Sequence, residues 1–339
     1  MKRENIVGRA NVEDTPALEA YYRELEGEAL GALWTVANEI EPWYPQPKSV
    51  PTLWKWSRIE RFVRRAPQLV SAEKAARRVV MLVNPGRKEW SAAAGLLYTG
   101  VQVMNPGEFT SAHRHQAAAL RFIMDGRGAY TTVDGERMTL GARDLVLTPN
   151  GTWHDHGVDA DGTQCVWQDG LDIPLMNSLD ANFYEVHPQV VQTPAPLSRE
   201  SWTKPYSPQF QYRWDDAYRA LRDAAWSPYD GRVYEYRNPL SGAPVMPTMG
   251  AQLQLLRKGE QTAAHRHTGS VIYQVAQGSG WSEIGEMSAG QRFEWQEKDI
   301  FALPSWALHR HGAHEEAVLF SFNDIPAMQA LALYREAEK

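Results

Sequence analysis

Two hydrophobic periods divide the chain. Leu18, Tyr22, Leu25, Leu30, Leu33, Ala37 and Ile40 approximate one helical face. Thr15 followed by Pro16 is a favourable helix start, and the Pro-rich stretch from Trp43 to Pro51 ends the pattern. Trp54 to Arg65 and Ser71 to Arg78 predict two further short helices, and Val79 to Val83 an apolar strand. Beyond residue 92 the period shortens. Ala119 to Met124, Ala129 to Val133 and Asp144 to Thr148 are short strand-like runs bounded by Gly, Asp or Pro. Asp125-Gly126 and Asp134-Gly135 are hairpin-turn signals, because glycine tolerates positive φ. Ser270 to Ala276, Gln277-Gly278 and Ile300 to Leu303 repeat the scheme. Many short strands with regular turns predict a mainly β sandwich or barrel. Pro188 to Pro208 reads as linker, and Asp215 to Trp226 as a helical piece.

The pattern is duplicated. Gly107-Glu108-Phe109-Thr110-Ser111-Ala112-His113-Arg114-His115 has a near copy in Gly259-Glu260-Gln261-Thr262-Ala263-Ala264-His265-Arg266-His267, 152 positions later. Pro149 to His156 is echoed by Pro304 to His311, with His154 and His309 separated by 155 positions. Eight of the ten histidines fall in these copies. The organisation predicted is a helical arm (1–92), a first barrel (93–186), a linker (187–245) and a second barrel (246–339).

Composition narrows the function classes. At 339 residues, 43% hydrophobic and 22% charged, the chain buries a real core. Lys plus Arg number 35 against 41 Asp plus Glu, for a net charge of −6 without a basic block. That argues against nucleic acid and anionic membranes as partners. The single cysteine, Cys165, excludes an intrachain disulfide or a thiolate cluster. Met1-Lys2-Arg3-Glu4-Asn5 leads into no apolar run, and no stretch approaches the ~20 residues of a membrane span, so a cytoplasmic protein is expected. There is no G-x-G-x-x-G fingerprint for a dinucleotide.

On a strand, His113 and His115 point the same way, and His154 arrives from a later strand. Three imidazoles on one side of an ion leave room for substrate and O₂ on a non-haem iron. If the strand runs on, Arg121 shares the histidine face, where a buried guanidinium needs an anion. That anion is either an internal Asp or Glu or a substrate carboxylate held by a bidentate pair. His265, His267 and His309 form a second candidate metal set. Tyr273 stands there in place of the arginine, which points to the first copy as catalytic. His156 shares parity with His154 and should sit beside the metal.

Gly107-x5-His113-x-His115 and Pro149-x-Gly151-x2-His154 resemble the two motifs of the cupin superfamily. The resemblance implies a bicupin, two antiparallel jelly-roll β-barrels in one chain. The carboxylate that usually follows the second histidine is absent, with Ala119 and Leu120 in its place. Such a site keeps the full charge of the metal and favours a chelating anion. The stretches Ala118 to Arg137, Leu147 to Gly157 and Trp167 to Pro174 are similar to the gentisate 1,2-dioxygenase family and its relatives acting on salicylates. Membership implies Fe(II) on His113, His115 and His154, and an extradiol-type cleavage by O₂ of an ortho-hydroxy aromatic acid. The bond broken joins the carboxyl-bearing and hydroxyl-bearing carbons. The substrate implied is gentisate, salicylate or a substituted salicylate, with 1-hydroxy-2-naphthoate as an alternative. The resemblance also implies that His156 handles the substrate hydroxyl and that Gln102, Asp169 and Arg77 join Arg121 in the pocket, with Arg78 competing for the role of Arg77. Trp153 and Trp167 read as barrel core. A homotetramer is the implied assembly. The contrasting reading is a non-catalytic storage or ligand-binding bicupin.

Overall fold

The computed structural model describes residues 10–87, 92–196, 203–286 and 290–338. Met1 to Asn5 and part of the Pro188–Pro208 linker lie outside them. The chain divides into two compact units, residues 1–46 and 47–339.

In the first unit the single helical face is realised as two helices, Pro16–Gly27 and Leu33–Ile40. Thr15 Oγ1 accepts from Leu18 N at 3.3 Å, the expected N-cap. The break comes at Gly27 to Gly31, where glycines disfavour helix and Ala29 takes a φ of 56°. Neither helix buries a residue within the chain.

In the second unit, two pairs of facing antiparallel sheets form the barrels. The first barrel joins a six-stranded sheet, centred on Tyr98–Met104, Ala119–Asp125 and Cys165–Leu171, to a five-stranded sheet holding Phe109–His115 and His154–Val158. The second repeats the design, with Gly250–Leu256, Val271–Gln277 and Ala317–Asn323 in a seven-stranded sheet. The large sheets pack back to back through one apolar core, where Phe122 and Phe320 stack at 4.0 Å. Asp134 and Gly135, with φ of 45° and 89°, make a two-residue hairpin between Val133 and Glu136. The duplication extends to the caps. Asp172 Oδ1 accepts from Ala118 N at 2.8 Å and Asp324 Oδ1 from Ser270 N at 2.6 Å, each pinning the chain just past its H-x-H.

The predicted helix Trp54–Arg65 is instead Trp56–Leu69, and Thr52–Trp54 is a strand paired with Ile300–Ala302 of the second barrel. Asp299 fixes this junction by accepting from Trp56 N at 2.8 Å and Lys55 Nζ at 2.9 Å. Of Ser71–Arg78 only Ala72–Ala75 is helical, because Ala76 turns to a φ of 54°. Val79–Met81 then pairs with Gly100–Gln102 on the edge of the first barrel. The helix expected over Asp215–Trp226 spans Trp214–Asp223. Among the described residues, no helix is long and apolar enough to cross a membrane.

Candidate active site

The site begins with a strand pair. His113 lies directly opposite His154, and one extra residue at Ser111–Ala112 shifts the register between Thr110 and His113. That β-bulge re-aims the histidine end of the strand. His113, His115 and His154 are all buried. Each ring spends its Nδ1 on a backbone carbonyl two residues away, Ser111 at 2.7 Å, Ala117 at 2.8 Å and Thr152 at 3.0 Å. A carbonyl only accepts, so all three are Nδ1–H tautomers with bare Nε2 atoms. Those Nε2 atoms are buried without partners and lie within 4.8 Å of one another. Among the described residues this is the only set of His, Cys, Asp or Glu that converges so tightly. Three aligned lone pairs with locked tautomers fit a transition-metal ion.

Around the triad the side chains divide by role. His156 is fully buried, with Nε2 3.1 Å from Gln102 Nε2 and Nδ1 3.2 Å from Thr110 Oγ1. Its ring meets Trp167 edge-on at 5.7 Å, and Trp167 is core as expected. Trp153 is not core: it is partly exposed beneath the Arg114 guanidinium, 4.5 Å from its ring centre. Arg121 reaches the barrel interior by a route that strand parity misjudged. The His113 strand stops at His115, the chain crosses over at 116–118, and Arg121 stands on a strand of the facing sheet. There its Nε lies 3.1 Å from Asp169 Oδ1, with both side chains buried. The internal anion is therefore present as an ion pair, yet Arg121 Nε and Nη1 and Asp169 Oδ1 are all buried without a hydrogen-bond partner.

Arg77 and Arg78 separate cleanly. Arg78 is held instead by Glu108 and the Val103 carbonyl of the first barrel and by the Val70 carbonyl of the arm. Arg77 lines a cavity of about 410 Å³ together with Tyr98, Gln102, Arg121 and Asp169. It also lines an adjoining cavity of about 290 Å³ that reaches His115, and it lies over the Tyr184 ring at 5.6 Å. Tyr98 was missed, although it stands four residues before Gln102 and so shares its face. A Cβ at Gly100 would come within 2.5 Å of Val79 Cγ1 and 3.1 Å of Tyr98 Oη, so glycine keeps this wall open. Asn150 Nδ2 and Gly151 N donate to the Gln116 and His115 carbonyls at 2.8 and 2.9 Å and brace a triad member.

A cupin-domain family model matches residues 100–174. Gentisate 1,2-dioxygenase 1 of Aquipseudomonas alcaligenes is 37% identical over 94% of this chain and 95% of its own. The chain belongs to the gentisate 1,2-dioxygenase family. It is a ring-cleaving dioxygenase of the bicupin fold, metal-dependent and acting on hydroxy aromatic acids. 5-Aminosalicylate 1,2-dioxygenase of Comamonas sp. is 35% identical over 94% of this chain and 90% of its own. The salicylate 1,2-dioxygenase of Pseudoaminobacter salicylatoxidans, solved as an adduct with gentisate, superposes with a TM-score of 0.90. It is 31% identical and covers 99% of this chain and 98% of that one.

Electrostatics prepares the dioxygenase for metal and anion. Burial first, and then Arg77 and Arg121, push His113 down to about 4. Burial and Arg77 take His115 down to about 3. His154 and His156 are driven well below the ordinary range by burial. All four are neutral near pH 7, as metal ligation or proton acceptance requires. Burial lifts Asp169 to about 6 against the pull of Arg121.

These shifts set an acid limit on the metal-free fold. A histidine with a depressed native pKa binds fewer protons folded than unfolded, so its contribution is lost as pH falls below about 6.5. Eight barrel histidines are shifted this way, all mainly by burial. Asp169, Asp172 and Asp324, each raised to about 6 by burial, act oppositely between about 4 and 6. The histidines outnumber them. Thermal melting of chelator-treated protein should therefore rise with pH from about 4 to about 6.5 and then level. A melting point that falls across that window would show that the carboxyls dominate.

Proposed function

We propose that this enzyme cleaves gentisate, salicylate or a substituted salicylate between the carboxyl-bearing and hydroxyl-bearing ring carbons, using O₂ and Fe(II) on His113, His115 and His154. The observation that carries this reading is the convergence of three bare Nε2 atoms beside a cavity that holds two arginines. Fe(II), when bound, supplies the redox chemistry that couples the electrons of the ring to O₂. The protein does the rest. Arg121, whose guanidinium keeps donors without hydrogen-bond partners, and Arg77 bind the substrate carboxylate and fix the ring's orientation. His156, neutral, with Nε2 accepting from the Gln102 amide and Nδ1 at Thr110 Oγ1, takes the proton of the ortho hydroxyl on Nε2 when the substrate displaces Gln102 from it. Gln102 and Asp169 line the cavity, and Tyr98 and Asp169 offer hydrogen bonds to a second polar substituent on the ring. Two arginines against one aspartate leave an excess of positive charge that suits a chelating dianion.

Relatives named for gentisate and for 5-aminosalicylate support a substrate with a polar group beyond the salicylate core. The test is O₂ uptake by the Fe(II)-loaded enzyme with gentisate, salicylate, 5-aminosalicylate, 1-hydroxy-2-naphthoate, benzoate and phenol. Uptake is expected with ortho-hydroxy acids and not with benzoate or phenol, which lack one arm of the chelate. Equal turnover of benzoate, or none with any ortho-hydroxy acid, would overturn the assignment. For the assembly we propose a homotetramer, supported by the exposed apolar side chains Leu33, Trp34, Ile40 and Trp43, and tested by sedimentation.

A further inference from the structure

The second barrel keeps three buried histidines in nearly the spacing of the first. Ring centres of His265, His267 and His309 lie 4.3, 5.2 and 5.8 Å apart. The first triad gives 4.3, 4.7 and 5.7 Å. The surroundings differ in a way that changes the chemistry. His265 Nε2 and His309 Nε2 are 2.8 Å apart. Adjacent ligands on a tetrahedral ion, with bonds of about 2.1 Å, sit roughly 3.4 Å apart, so an ion entering between them would spread this pair by about half an ångström. A carboxylate is also at hand. Asp230 Oδ1 lies 3.7 Å from His265 Nε2, on a turn whose Tyr229 and Asp230 amides donate to Ser227 Oγ. On the other side of the His265 ring, Glu336 Oε1 is 3.6 Å from Nδ1. Glu336 belongs to the C-terminal strand Glu336–Ala337, which pairs with Arg266–His267.

Without a cation the tautomers conflict. His309 Nδ1 donates to the Ala307 carbonyl at 3.0 Å, which leaves its Nε2 bare. His265 must then carry its proton on Nε2 to bond His309. That turns a bare Nδ1 toward the Glu336 carboxylate, and this buried Nδ1 has no hydrogen-bond partner. A metal ion in place of the shared proton resolves the conflict. Both Nε2 atoms become ligands, and His265 Nδ1–H faces Glu336, the usual outer partner of a metal-bound imidazole. Asp230 and His267 both have to close in to complete the set, because neither converges on the His265–His309 pair as tightly as the members of the first triad converge on one another. The contact of His267 to the Thr268 carbonyl, at 3.3 Å, is a weak anchor.

We propose that the second barrel binds a divalent first-row transition ion through His265, His267, His309 and Asp230, with Glu336 bracing His265, and that this ion fastens the C-terminal strand to the barrel. Four protein ligands close the coordination sphere, so the role is structural, unlike the carboxylate-free triad of the first barrel.

The test is titration of the chelator-treated, full-length protein with Co(II), whose visible bands are strong in a closed four-ligand site. The wild type should take up a second equivalent with such bands. Asp230→Asn and His309→Ala should lose it, and His113→Ala should retain it, so the outcome is independent of the chemistry in the first barrel. Glu336→Gln should keep the second equivalent with affinity weakened by about 10–100-fold. Amide exchange over residues 334–338 should slow when that equivalent binds. Asp230→Asn decides the matter alone if His309→Ala does not fold. Saturation of the wild type at one equivalent, or a second equivalent untouched by Asp230→Asn, would overturn the proposal.

Discussion

Replacing His113 by alanine is expected to strip the metal from the first barrel and abolish ring cleavage. The residue supplies one of three Nε2 atoms that converge within 4.8 Å, and its tautomer is set by the Ser111 carbonyl at 2.7 Å. No nearby carboxylate can substitute, because Ala119 and Leu120 occupy the positions where the usual motif offers one. Loss of a mere outer-shell partner typically weakens metal affinity by about 10–100-fold. Loss of one ligand in three should exceed that. The metal-free protein should still fold, since the substitution also deletes a buried Nε2 that has no partner in the absence of a cation. Elemental analysis and O₂ uptake on the folded variant are the measurements. Full activity with normal iron would sink the triad assignment.

The triad was legible because two signals coincide. Strand alternation puts residues i and i+2 on one face, and the duplication repeats the spacing in a second copy. The Asp134-Gly135 turn was legible for a similar reason, since few residue pairs accept two positive φ values. Long-range features were not. Parity placed Arg121 near the histidines through an uninterrupted strand that does not exist. The facing sheet returns it there instead, because both sheets turn their inner faces to one cavity. The bulge at Ser111–Ala112 leaves no mark in the local pattern. The choice between Arg77 and Arg78 depends on Glu108, thirty positions along the chain, and no periodicity links them. The arm's strands Thr52–Trp54 and Val79–Met81 each complete a sheet of a different barrel, a tertiary fact that overrode the helical reading of Trp54.

The second large effect is expected at Arg121. Its Nε forms an ion pair with Asp169, yet neither Nε nor Nη1 has a hydrogen-bond partner, so the guanidinium keeps unspent donors for a substrate carboxylate. Removing one member of a buried charge-assisted pair typically costs about 2–5 kcal/mol. Arg121→Ala should therefore lower kcat/KM for an ortho-hydroxy acid by roughly two to three orders of magnitude, at about 1.4 kcal/mol per tenfold. Two consequences separate this role from that of a mere counter-ion to Asp169. First, iron content should stay near normal, and a phenol without a carboxylate should bind the variant as well as it binds the wild type. Second, with its cation gone, Asp169 should titrate above its present value of about 6, because burial is then less opposed. The variant can protonate Asp169 to relieve an unpaired buried charge, which keeps the fold intact. Arg121→Lys should recover only part of the loss, since a point charge cannot reproduce the planar fork. Asp169→Asn leaves the arginine in place and should cost less than Arg121→Ala. Steady-state kinetics on the best substrate, iron analysis and inhibition by the carboxylate-free phenol settle the matter together. Equal damage from Asp169→Asn, or a normal kcat/KM in Arg121→Ala, would show that the ion pair is all this arginine provides and that Arg77 alone holds the carboxylate.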